Sequence, residues 1–146
     1  MASLTEVRAA LAARLAVIDG LRVPDLVPPE ISPPAAVIVP GVDRLHPAIV
    51  YDKAMCGGAH TMHFLVKILV STAHDVSAQR LLDGYLASAG DTSVKAAIED
   101  DMTELTVGDE VVADYAQATE VLHYGLTDWA GVTYLGADMH VEVLTR

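Results

Sequence analysis

Residues 60–72 read HTMHFLVKILVST, and this stretch decides the fold. In an extended chain successive side chains alternate between the two faces. Met62, Phe64, Val66, Ile68 and Val70 therefore share one face, and His63, Leu65, Lys67, Leu69 and Ser71 the other. The first face is wholly apolar and predicts a strand laid against a core. The same alternation returns in residues 132–144, where Leu135, Ala137, Met139, Val141 and Val143 face one way and Tyr134, Asp138, His140 and Glu142 the other. A strand over 117–127 precedes it, and Asp128-Trp129-Ala130-Gly131 supplies a turn in which Gly131 takes the positive φ of tight hairpins. Shorter strands are predicted over 107–112 and over 35–39, the latter ended by Pro40-Gly41.

Helices flank these strands. Ser3 followed by Glu6 has the form of a capping box, in which each side chain satisfies a free amide at the helix start. Leu4, Val7, Leu11, Leu15 and Ile18 then recur at helical steps before Gly20, which predicts a helix over 4–18 with Arg8 and Arg14 off its stripe. Asp75 or Ser77 can cap a second helix that turns Val76, Leu81, Leu82, Tyr85 and Leu86 inward, and Ser93 a short third through Val94, Ala97 and Ile98. Five of the seven prolines fall in 24–34, a segment denied both helix and central-strand hydrogen bonds. Residues 42–58 read as an irregular loop. The expectation is one domain over 1–146 of α+β class, a mixed, mostly antiparallel sheet with helices packed on one face.

Composition narrows the function. Nine Lys plus Arg against twenty Asp plus Glu leave a net charge of −11, which repels phosphate backbones and argues against a grip on nucleic acid. No run approaches the roughly 20 apolar residues that cross a bilayer, and Ser3, Thr5 and Glu6 do not open a secretory leader, so a soluble protein is expected. The single cysteine, Cys56 in Met55-Cys56-Gly57-Gly58, excludes an internal disulfide and reads as a small loop residue without an identifiable base.

Chemistry is hard to find. His60 and His63 are three apart on a strand and point to opposite faces, His63 shares its face with the cationic Lys67, and His123 with His140 offers two ligands without a third. No metal site and no cofactor are expected. Glu99, Asp100 and Asp101 read as a solvated run, because nothing apolar encloses them to split their pKa values. The chain carries no Gly-x-Ser-x-Gly elbow, phosphate loop or dinucleotide glycine fingerprint. The expectation is a protein that is not an enzyme. Trp129 either caps the hairpin's own core or anchors a partner, since a ring held in a turn buries much area at little entropic cost. The stiff connector, the long loop and the hairpin are all means of reaching a neighbour.

The chain resembles the tail terminator, or tail-completion, proteins of long-tailed bacteriophages, especially those of actinobacterial hosts. The resemblance runs almost end to end. It lies in LTEVRAALA at 4–12, IDGLRV at 18–23, PPAAVIV at 33–39, FLVKILV at 64–70, QRLLDGYL at 79–86, SVKAAIE at 93–99 and YLGA at 134–137; residues 51–60 depart from it. It implies a ring, typically a hexamer, made in the host bacterial cytoplasm and placed in the virion at the neck. The ring would cap the major tail tube protein, end its polymerisation and present the surface for the head and its connector proteins, with DNA passing through an acidic lumen unbound. The interface residues expected are Tyr51, Met55 and Trp129, with Asp128, His123 and His140 as a polar rim. Alternatives are another neck, head-closure or minor tail protein, and a small-molecule-binding domain or hydrolase with a pocket between sheet and helices using His63 or His123.

Overall fold

The computed structural model describes residues 3–24, 26–51, 60–73, 75–100 and 103–145. Helix α1 spans Leu4–Leu15, and its capping box is formed as expected, with Ser3 Oγ accepting from the Glu6 N–H and the Glu6 carboxylate accepting from the Ser3 N–H. The helix stops one turn short of Ile18, because the chain turns through Gly20 at φ 82°, yet Ile18 still reaches the core from that turn.

Strand β1 follows at Ala35–Pro40, β2 at Ile49–Tyr51 and β3 at His60–Ser71. Strand β2 was not expected; the segment read as irregular carries these three residues, which pair with Met62, Thr61 and His60. Helix α2 spans Val76–Leu86 behind the Asp75 cap, and α3 spans Val94–Glu99 behind Ser93. The inward stripe of α2 is Ala78, Leu82 and Tyr85, while Val76 and Leu81 are exposed, contrary to expectation. Val76 lies on the other side of the helix from this stripe, and Leu81, three residues from Ala78 and four from Tyr85, sits at its margin and is 40% exposed.

The expected strand over 107–112 is two strands, β4 at Leu105–Val107 and β5 at Glu110–Ala113, folded on each other around Gly108 at φ 61°. Strands β6, Tyr115–Trp129, and β7, Val132–Thr145, form a long hairpin. Its loop is only Ala130-Gly131, with φ 51° and 81°. Positive φ at both central residues is the two-residue turn whose twist matches the flanking strands. Asp128 and Trp129 are therefore the last strand residues and not part of the turn.

The main sheet runs β1-β3-β7-β6, with β2 beside β3, and every pairing between these strands is antiparallel. The fold is α+β, with the helices on the face that carries Met62, Phe64, Val66, Ile68 and Val70. These join Val7, Leu11, Leu15, Leu82, Tyr85, Ile98, Met139, Val141 and Val143 in one hydrophobic cluster. Arg14 ties α1 to the end of α3 and the chain after it, donating to the carbonyls of Ile98 at 2.6 Å, Thr103 at 3.0 Å and Glu104 at 2.8 Å. No helix among the described residues is long and apolar enough to cross a membrane.

Candidate functional site

Two places on the sheet stand out, the far end of the β6–β7 hairpin and a group of histidines on the face opposite the helices. In the hairpin, pairing shares faces: Ala116 lies against Val143 and Ala118 against Val141, all buried in the core. Past two bulges, between Ala118 and Glu120 and between Val121 and His123, the same face continues through Val121, Tyr124 and Leu126, opposite Met139, Ala137 and Leu135. Here the β7 residues are buried but Val121, Tyr124 and Leu126 are exposed, Leu126 by 56%. Leu122 at the second bulge and Val132 at the tip are exposed as well. The outer edge of β6 pairs with no strand among the described residues. Near its start the Glu99 carboxylate, itself held by Lys95, accepts from the Ala118 N–H at 3.2 Å. Glu99 is thus an edge cap and not part of a solvated run, a role that burial of its neighbours in α3 decides and sequence does not display. Further out, the Tyr124 hydroxyl donates to Asp83 of α2 at 2.9 Å, and that hydrogen bond holds the phenol above its ordinary pKa.

The expected interface residues fall in different places. Tyr51 is exposed at the end of β2, its ring edge-on to His60 with centres 5.5 Å apart. Met55 lies outside the described residues, as do Cys56 and Asp101. Asp128 is exposed and accepts from the Thr133 hydroxyl across the hairpin. His123 is exposed on β6. Trp129 is half-buried, lies outside the core cluster and lines a groove of about 180 Å³ with Glu30, Ile31, Val132 and Tyr134, beside the proline-rich connector.

His140 is a correction. Read as polar rim, it is only 3% exposed. The face that carries it is covered without a helix: the 41–48 loop lies over one end of the outer face and brings His46 onto His140 and His63, with ring centres 4.8 and 5.2 Å away. His63 Nδ1 stands 2.9 Å from His140 Nε2, and their ring centres are 5.1 Å apart. His140 meets His63 across the β3–β7 ladder, and not His123 across the hairpin. Asp43 accepts from the backbone of Leu45 and His46 and lies 3.1 Å from His46 Nδ1. Glu120 approaches His140 Nδ1 at 3.6 Å, within ion-pair range but beyond a hydrogen bond, and this nitrogen has no hydrogen-bond partner. A carboxylate on that side favours the proton on Nδ1, which leaves Nε2 to accept from His63. Burial, and next the neighbouring His140, push the His63 pKa below the ordinary histidine value. Lys67, which shares the strand face, is occupied elsewhere, 3.4 Å from Asp138. Among the described residues, no three His, Cys, Asp or Glu side chains already converge closely enough to hold an ion.

No known family model matches this chain, and no curated protein does.

Proposed function

We propose that this protein is a structural subunit rather than an enzyme, and that its copies close into a ring, typically of six, on the end of a phage tail tube. On this reading the ring stops tube growth, sits at the neck of the virion and offers the surface to which head-connector proteins attach. The observation that carries it is the far half of the β6–β7 hairpin, where an apolar stripe and a strand edge unpaired among the described residues lie together outside the core. An exposed edge is a template for another chain unless something blunts it. The two bulges blunt β6 in part, and the edge cap at Ala118 reaches only its beginning. A second copy of the chain is the occupant this surface suits, because one interface repeated around an axis hides every such edge when the ring closes. The net charge of −11 fits a lumen that DNA passes without sticking. The resemblance in the order of sequence phrases gives the reading its identity as a tail terminator.

The experiment is the mass of the purified protein by light scattering over a range of concentrations, then electron microscopy after adding tail tubes. Hexamer-sized particles, or monomers that gather only on tube ends, are the expected result. A monomer indifferent to tubes at every concentration would overturn the reading and return weight to another neck role.

A further inference from the structure

We infer that His46, His63 and His140 form a site for a divalent transition metal of the zinc class, closed by rotation of the His46 ring. This does not rest on the ring-subunit reading. The three imidazoles stand at the corners of a nearly equilateral triangle, with centres 4.8, 5.1 and 5.2 Å apart. An imidazole nitrogen about 2.0–2.1 Å from a tetrahedral zinc puts neighbouring ring centres about 5 Å apart. The triangle therefore already has the size that three histidine ligands require.

The flanking groups select the ligand atoms. Metal-bound histidines generally give their other ring nitrogen to a carboxylate or carbonyl, which fixes ring orientation and tautomer. Asp43 lies at Nδ1 of His46 and Glu120 on the Nδ1 side of His140. In His140 this leaves Nε2 facing the cluster, where it meets Nδ1 of His63; in His46 it leaves Nε2 as the nitrogen that ring rotation would turn inward. The donors are thus Nε2 of His46, Nδ1 of His63 and Nε2 of His140. Nitrogens bound to one tetrahedral ion stand about 3.3 Å apart, so the 2.9 Å contact between His63 and His140 opens slightly when an ion replaces the shared proton. The trio does not yet converge on one point, and His46 is the member able to move. It sits on a loop with its side chain 37% exposed, whereas His63 and His140 are fixed on adjacent strands.

Imidazole donors favour zinc, copper or nickel over calcium or magnesium, which take oxygen ligands. Lys67, about 13 Å along the strand from His63 at the usual rise per residue, is neutralised by Asp138 and does not oppose a cation. The bound ion would pin the 41–48 loop to the β3–β7 pair, with water in the fourth position.

The test is calorimetric titration of chelator-treated protein with zinc chloride, on the parent and on His46→Ala, Asp43→Asn and His123→Ala variants, each checked for folding by circular dichroism. The expected result is saturable binding of one zinc per chain, weakened roughly tenfold or more in His46→Ala and Asp43→Asn and unchanged in His123→Ala. Absence of saturable binding in the parent, parent-like affinity in His46→Ala, or an equal loss in His123→Ala would each overturn the site.

Discussion

The two halves of the β6–β7 ladder obey the same pairing rule and meet opposite fates. In the near half Ala116 and Ala118 lie against Val143 and Val141 under the helices, and all four are buried. In the far half Tyr124 and Leu126 lie against Ala137 and Leu135, and the β6 members stand in solvent. Strand alternation assigns a side chain to a face, but only the layer above decides whether that face is core. Apolar residues that the fold leaves uncovered contribute little to its stability and are available to a neighbour.

This contrast predicts a ranking of mutational effects. The largest should come from the covered half. Phe64, fully buried beside Val141 across the β3–β7 pair, is expected to cost about 3–5 kcal/mol when replaced by Ala, since both its transfer energy and the cavity left behind count. Urea unfolding measures it, and a loss below about 1 kcal/mol would show that the helices do not seal this half as described.

The β7 strand of the far half, which β3 backs, comes next. A Cβ on Gly136 would press on the Ile68 carbonyl oxygen and the Leu69 side chain, close to where the β3–β7 register shifts between Leu69 and Ser71. The carbonyl is backbone and yields little, so Gly136→Ala is expected to destabilise by about 1–3 kcal/mol. Parent-like unfolding of Gly136→Ala would mean that the strands there are free to separate.

How much of this the sequence displayed follows from the same distinction. The capping box at Ser3 and Glu6, the alternation in β3 and β7 and the α+β class are local or periodic signals, and they hold. Strand β2 was hidden because three residues are too few to show a period, and the Gly108-Asp109 turn divided a predicted strand in which Val107 stands apart from Val111 and Val112. Val76 and Leu81 were assigned inward on hydrophobicity alone, although Val76 lies round the helix from Ala78, Leu82 and Tyr85 and Leu81 only borders that stripe. The histidine cluster was half legible. Alternation placed His63 and His140 on the outer faces of their strands, but not that those strands are neighbours, nor that a loop lays His46 over both. Covering of a face by an irregular segment has no sequence period. His140 therefore looked like a solvent-facing rim residue, and the third histidine had no signal linking it to the other two.

The smallest expected effect on stability, and the most direct test of the account, concerns the far half. Leu122 and Leu126 are exposed, so their joint replacement by Asp should shift the unfolding free energy by no more than about 1 kcal/mol, twice the usual limit for a single surface change. The decisive measurement is the light-scattering mass of this double variant beside the parent, at a concentration where the parent assembles. The account predicts a folded variant that stays monomeric. A variant that assembles as the parent does would contradict the claim that the projecting hairpin is the surface on which copies meet.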